Sequence, residues 1–489
     1  MDARPLQFIA SACGGTLQHG APDTVVSRVC TDSRRVQAGD LFIALKGERF
    51  DAHDFLPQVA GQGAAALVVE RAKLPAANLG CAIIAVPSTR QALGQLAARY
   101  RADFNIPIIA VGGSNGKTTT KELIAAVLRE KFNTLWSEAS FNNDIGVPLT
   151  LLNLSHTHEA AVLEAGTNHP GELAPLVRMI EPRYGVITNI GGEHLEFFGD
   201  LDGVAQEEGS LAELLPASGK LFVDGDDAWT PALVKRTQAQ VIRVGFQPEN
   251  DWRAENIRIT SAGMTFWCAV AEVLAHGHRD SALGRTDEAK AAWRFASRRT
   301  PESFNGQYYL QLLGRHQVKN ALFALAVGAE LGVDAAYARR GLAACQPAKM
   351  RLQVYSVRGV TILDDTYNAN ADSMQAALQT LHDFPATGRR MAVLGPMAEL
   401  GAHTQEANLE VGRCAARLGV AHLLAVGPWA ETMAEAARAE GLREITTAPD
   451  APAAITILKN LLRPGDVVLL KASRAAAFER ITQALRSEN

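Results

Sequence analysis

The stretch AVGGSNGKTTTKELIAAVL, Ala110–Leu128, places two glycines, a Ser-Asn-Gly-Lys step and three threonines between an apolar run and a helical pattern. Glycine lets backbone N–H groups turn toward one point, and a helix N-terminus favours an anion there. A phosphate cradle is the chemistry this suits. The loop is not a literal G-x-x-x-x-G-K-T, because Val111 stands at the first glycine position. Gly113, Ser114, Asn115, Gly116, Lys117, Thr118 and Thr119 still supply the parts, with Lys117 for the β- and γ-phosphates of ATP and the Thr118 hydroxyl for Mg²⁺. The alternative is a glycine-rich turn that holds nothing.

Glu164 is a second candidate. It ends the apolar run AAVLEAG, so its carboxylate sits at the C-terminal edge of a strand, where open α/β sheets bind ligands. An ordinary strand-end acid is the alternative. His316 and Asn320, in GRHQVKNAL, share a helical face at i, i+4, with capping or polar packing as the competing reading.

These groups need a scaffold, and the hydrophobic pattern predicts one. From Ile108 onward the runs IIAVGG, AAVLEAG, YGVITNIGG and GKLFVDGDD alternate with helical stretches, which implies a largely parallel sheet covered by helices. Upstream, DLFIAL and AALVV read as short strands and TRQALGQLAARYRADF as a helix. Beyond Cys345-Gln346-Pro347, after an apolar helix that begins near Gln317, the strands VTILDD, RMAVLGPM, HLLAVG and DVVLLKAS alternate with Ala-rich helices. The fold class expected is α/β in three domains: a small mixed N-terminal domain (1–104), a central P-loop parallel-sheet ATPase domain (105–346), and a C-terminal dinucleotide-fold-like domain (347–489). A chain of 489 residues is too long for one core, which agrees. One piece, about 271–304, reads as a helical insertion similar to a single tetratricopeptide unit. A lone unit forms no solenoid, so it is either a structural α-hairpin or a docking element for a protein partner.

Composition narrows the function classes. A net charge of −4 offers no field for nucleic acid or an anionic membrane. The six cysteines are scattered without zinc-like spacing and read as reduced thiols. MDARPLQFIASACGG has no signal-peptide pattern, and no apolar run approaches the about 20 residues of a membrane span. A cytoplasmic chain is expected.

GGSNGKTTTKE resembles the nucleotide loop of the Mur ligases, and further matches run through the chain in family order. They are TDSRRVQAGDLFIALKGERFDAHDF, then SFNNDIGVPLTLL, LEAGTNHPGEL, ITNIGGEHLEFFGDLDGVA and LLGRHQVKNALFAL, then LDDTYNANADSMQAAL, VLGPMAELG and VVLLKASR. The resemblance implies an ATP-dependent amide ligase that phosphorylates a substrate carboxylate to an acyl phosphate, which an amine then attacks. The Tyr367–Asn370 and Asn168–Glu172 motifs are most similar to the member that joins D-alanyl-D-alanine to a UDP-N-acetylmuramoyl-tripeptide. Another Mur-type or folylpolyglutamate-type ligase and a nucleotide-dependent binding module are the alternatives. The third residue of the tripeptide is not legible, and a monomer is expected.

By the same resemblance Glu164 binds Mg²⁺, His194 serves a second metal, and Asn320 lies near the adenine. Arg351 reaches phosphate and Asp365 the ribose once the domains close. Ser33, Arg34 and Lys46 lie at the uridine diphosphate, while Asn142, Asn143, Thr167, Asn168 and His169 face the muramoyl-peptide. Tyr367, Asn368, Asn370 and Lys471, with Ser473 and Arg474 beside it, serve the substrate end. Surface charge is the alternative for Lys471. Several positions depart from the family pattern, among them Gly112 for Thr, Pro396 for Asp and Asn408 for His. Many members carry a lysine at Glu208, whose carbamylation yields a carboxylate for Mg²⁺. Glu208 carries a carboxylate outright, and its alternative is a solvated acid beside Glu207 on an exposed helix face.

Overall fold

A computed structural model describes residues 1–271 and 301–487. The expected insertion at about 271–304 lies outside the described residues except at its two ends. Three main sheets occupy successive stretches of the chain.

Among the described residues the central sheet has nine strands. From one edge they run Gly306–Leu310, Gly263–Val270, Trp252–Thr260, Gln240–Gly245, Lys220–Asp224, Tyr184–Ile187, Ile108–Gly112, Ala160–Glu164 and Thr134–Trp136. Pairing is parallel from Thr134–Trp136 through Trp252–Thr260. Ile108–Gly112 and Ala160–Glu164 are buried throughout because helices cover both faces, which is why they read as continuous apolar runs. From Ile108–Gly112 the chain runs to the edge strand Thr134–Trp136 and returns as Ala160–Glu164 on one side. It then crosses to Tyr184–Ile187 on the other. This reversal opens a crevice at the C-terminal ends of three adjacent strands.

The sheet is largely parallel, as expected, and departs from this at one edge. Trp252–Thr260, Gly263–Val270 and Gly306–Leu310 form an antiparallel extension. Their burial alternates residue by residue, as in Gly306–Leu310, so they lack the long apolar runs of the buried strands. Cys268 pairs with Gly306, so the segment after Val270 leaves and rejoins the sheet at neighbouring points. The single apolar helix expected before Cys345 is two, Arg315–Glu330 and Ala335–Ala344, broken at Gly332, where φ is +75°.

The N-terminal sheet runs Thr16–His19, Ala82–Val86, Ala66–Glu70, Leu41–Ile43 and Val29–Cys30, with only its first pair antiparallel. The C-terminal sheet runs Gln353–Val357, Val360–Asp365, Val467–Lys471, Arg390–Leu394, His422–Val426 and Ile445–Ala448, again with only its first pair antiparallel. Asp365 and Leu394 each pair with Lys471, so the C-terminal strand ends meet at one place.

Apolar packing sets how the three parts sit together. One core joins the N-terminal residues Leu93, Leu96 and Tyr100 to Leu151, Leu154 and Val177 of the central part. Tyr100 donates its hydroxyl to Leu154 O at 2.7 Å, and the Arg101 guanidinium donates to Ile180 O, Phe104 O and Glu181 O. A second core joins the opposite central face to Met374, Leu378 and Leu381 of the C-terminal part. Cys13, Cys30, Cys268 and Cys345 are buried free thiols. Among the described residues no helix is long and apolar enough to cross a membrane.

Candidate active site

The phosphate loop leaves Ile108–Gly112 and enters the helix Lys117–Leu128. Gly113 and Gly116 have φ of +104° and +86°. A Cβ on Gly113 would stand 2.4 Å from Thr188 Oγ1, so glycine is required there by space as well as by torsion. The helix begins its hydrogen bonding with Thr120 N to Gly116 O, which leaves the amides of Lys117, Thr118 and Thr119 open at its N-terminus. That is an anion site built from backbone alone.

Neighbouring loops hold this one in shape. Ser114 N donates to Asn189 O at 2.9 Å and Asn115 N to Asn189 Oδ1 at 3.0 Å. Asn189 Nδ2 returns a bond to Asn115 O, and Gly113 N donates to Glu208 Oε2 at 2.6 Å. Lys117 Nζ donates to Ser114 O at 3.1 Å and pairs with Glu193 Oε2 at 3.0 Å. Burial alone would lower the Lys117 pKa, but Glu193, Glu208 and Glu164 outweigh it and hold the ammonium above its usual value. Burial pushes Glu193 and Glu208 up, against the pull of Lys117.

Glu164 ends its strand as expected, and its Oε1 accepts from Asn142 Nδ2 at 2.9 Å. Three buried carboxylate oxygens near Lys117 have no hydrogen-bond partner: Glu164 Oε2, Glu193 Oε1 and Glu208 Oε1. The fully buried Lys121 approaches the first at 3.9 Å and donates to Ser137 O at 2.7 Å. Among the described residues no three His, Cys, Asp or Glu side chains gather closely enough to hold a metal by themselves. Thr118, Glu164, His194 and Glu208 therefore do not form the closed cluster that a tightly held structural metal requires. Mg²⁺ needs less, because it keeps several waters and takes one or two carboxylates plus substrate phosphates. Unpaired oxygen donors beside a phosphate loop fit such an ion.

The C-terminal part docks directly on the loop. Arg351 Nη2 donates to Thr118 Oγ1 at 3.3 Å and its guanidinium stacks 4.3 Å from the Tyr367 ring centroid. Tyr367 OH lies 3.1 Å from Ser140 Oγ, and Asn370 Nδ2 donates to Asn115 Oδ1 at 3.0 Å. Asp372 Oδ2 accepts from Gly192 N, and His194 Nδ1 bonds Glu399. Burial lowers the His194 pKa despite that carboxylate. Asn370 also caps the helix Ala371–Asp383 in a reciprocal box with Ser373. Asn370→Ala should therefore cost about 1 kcal/mol, read as a lower urea midpoint.

Several expected residues sit differently. Asp365, expected on a ribose, accepts from Lys471 Nζ at 2.6 Å and from Leu352 N at 3.2 Å. Lys471 is 2 % exposed and also bonds Asn368 O, so the surface-charge reading is wrong for it. Glu208 is 0 % exposed and Glu207 accepts from Gly171 N and Leu173 N, so neither is a solvated acid. Asn143 spends its oxygen on Ile145 N and Gly146 N, a turn that starts the helix Gly146–Leu151. Thr167 bonds His169 O and Glu207, while Asn168 N and His169 N both donate to Glu172. Asn320 lies against the loop, where a Cβ on Gly116 would be 2.9 Å from its Oδ1. Burial lowers the neighbouring His316 to about 4, so it is neutral at pH 7. Ser33, Arg34 and Lys46 remain on the N-terminal part, with Arg34 paired to Asp32. Among the described residues no hydrogen bond joins these three to the phosphate loop.

Sequence reasoning missed Asn189, Glu193, Lys121 and Asp372. Asn189 and Glu193 stand inside the segment ITNIGGEHLEFFG, but a polar residue in a loop gives no sign of burial until the loop is folded over its neighbour.

Three family models match the chain. They are "Mur ligase family, catalytic domain" over 25–101, "Mur ligase middle domain" over 111–328 and "Mur ligase, glutamate ligase domain" over 350–474. The chain is 36% identical to UDP-N-acetylmuramoyl-tripeptide–D-alanyl-D-alanine ligase of Escherichia coli (strain K12), over 98% of both chains. It is 32% identical to the enzyme of that name from Bacillus subtilis (strain 168), over 99% of both. Among solved structures, MurF from Acinetobacter baumannii superposes with a TM-score of 0.86 at 30% identity, covering 100% of this chain and 99% of that one. MurF ligase from Thermotoga maritima in complex with ADP gives 0.78 at 27%, covering 95% and 98%.

Proposed function

The chain belongs to the Mur ligase family, and on that premise we propose that it joins D-alanyl-D-alanine to UDP-N-acetylmuramoyl-tripeptide, converting ATP to ADP and phosphate, in peptidoglycan precursor synthesis. The observation that carries the mechanism is the C-terminal part seated on an open anion site, with Arg351 and Asn370 touching loop residues.

Lys117 and the open amides of the helix N-terminus bind the β- and γ-phosphates, so that Lys117 exchanges its Glu193 partner for phosphate oxygen. Arg351, which reaches Thr118 from the C-terminal part, adds a second cation. The tripeptide carboxylate attacks the γ-phosphorus, forming the acyl phosphate and releasing ADP. The amine of D-alanyl-D-alanine then attacks the acyl carbon, the C–N bond forms as the C–O bond to phosphate breaks with its electron pair, and the nitrogen's surplus proton leaves with the phosphate. Because two anions must meet, positioning and charge neutralisation supply most of the acceleration. The docked C-terminal part also excludes water that would hydrolyse the acyl phosphate.

Thr118 and Glu164 would hold Mg²⁺, with His194 Nε2 and Glu208 Oε1 as further donors; the ion neutralises phosphate charge when bound. Asn320 faces the adenine, Ser33, Arg34 and Lys46 the uridine diphosphate, and Asn142 and His169 the muramoyl-peptide. Lys471 acts through Asp365 and the Tyr367–Asn370 turn, which it braces. The groups named lie on one chain, so the reaction needs no second copy, and two nucleotide-bearing substrates argue for a cytoplasmic enzyme.

Phosphate release is the test. It should require ATP, the UDP-tripeptide and D-alanyl-D-alanine together. Release that is independent of the dipeptide would overturn the acceptor, and nucleotide binding without any release would reduce the protein to a binding module.

A further inference from the structure

Gly112 presents a small puzzle. It ends the strand Ile108–Gly112 with paired, ordinary extended geometry and has no positive φ, so its backbone does not need glycine. What it lacks is room. A Cβ built there would stand 2.9 Å from Glu208 Oε2, with Leu211 Cδ2 at 3.3 Å. The same Oε2 accepts the Gly113 amide at 2.6 Å. Glu208 is wholly buried on the helix Leu201–Glu213, so its carboxylate reaches the phosphate loop from behind, on the side away from solvent.

We propose that Gly112 and Glu208 act as one unit in which the bare position 112 admits the Glu208 carboxylate, and that carboxylate, holding the Gly113 amide, is the positioning residue for the phosphate loop. The inference rests on reading that loop as the nucleotide site. Gly113 sits four residues before Lys117 and carries a torsion only glycine adopts easily, so its peptide orientation sets the start of the loop. Glu208 could swing clear of a Cβ at 112, since it is the far end of a flexible side chain. Doing so would strand the Gly113 N–H in a buried setting, which is costly. Loop geometry is therefore coupled to the size of residue 112 through Glu208. Glutamine keeps the interaction, because its Oε1 can accept from Gly113 N while its amide group can donate to the neighbouring Glu193 carboxylate.

The test is a double-mutant cycle on the full chain, with ADP binding measured by calorimetry in EDTA and folding checked by thermal unfolding. Glu208→Ala and Gly112→Ala should each weaken ADP binding about tenfold, and the double variant should bind no worse than the weaker single. Glu208→Gln should recover ADP binding to within about threefold of wild type, below half of one tenfold step. In steady state with Mg²⁺, Glu208→Ala should raise KM for ATP. Multiplying losses in the double variant, a Gly112→Ala variant that binds ADP as wild type does, or a Glu208→Gln variant as impaired in EDTA as Glu208→Ala would each overturn the proposal. Wild-type protein that binds no ADP would overturn the nucleotide-loop reading itself, which is a different failure from an additive cycle.

Discussion

Lys117→Ala is expected to lower the rate of dipeptide-dependent phosphate release at least about 10³-fold, equivalent to about 4 kcal/mol of transition-state stabilisation. The ammonium stands between the loop carbonyls and Glu193, within the influence of Glu208 and Glu164. No other lysine among the described residues is placed to replace it, because Lys121 one turn on is turned to Ser137 O and Ala139 O. The fold should persist, since Glu193 already binds its proton more tightly than an ordinary carboxyl and can go neutral when its cation is gone. Thermal unfolding separates loss of chemistry from loss of structure. A folded variant that keeps more than about a tenth of the wild-type rate, a change of only about 1.4 kcal/mol, would remove Lys117 from the phosphate-binding role.

Glu164→Gln should cost about 10²- to 10³-fold in kcat at saturating ATP and Mg²⁺, the range seen when one preorganised electrostatic group is removed. The change keeps the side chain's size and can keep the bond from Asn142, but it replaces a charged carboxylate with a neutral amide. Oε2, which accepts no hydrogen bond and has only Lys121 at 3.9 Å, is what an incoming cation would use. Raising Mg²⁺ should recover part of the loss, and ADP binding in EDTA should not follow it. If rate and Mg²⁺ dependence match wild type, Glu164 only anchors Asn142 and the loop behind it.

Much of the chemistry is legible in short stretches of sequence. The glycines, lysine and threonines after Val111 mark a phosphate loop, because glycine torsion and an open helix end are local properties written within a few residues. Glu164 at a strand end and the alternation of apolar runs with helices point to the central sheet for the same reason. The antiparallel extension Trp252–Thr260, Gly263–Val270 and Gly306–Leu310 is not legible in that way, since strands with one wetter face carry a weak signal and the last is separated from its partner by a long segment.

What the sequence alone determined, then, is the identity of the local parts: the loop, the strand ends and the order of the three sheets. Only the tertiary structure decided which polar groups are buried and whom they meet. Glu193 faces Lys117 across 76 positions of chain, Glu208 holds Gly113 across 95, and Arg351 reaches Thr118 across 233. For Glu208 and Lys471 the sequence left a solvated acid on a helix face and a surface charge open as alternatives. Both are enclosed because another element packs over them. Burial is a property of packing between distant segments, and it is burial that turns an ordinary carboxylate into a brace for a phosphate loop.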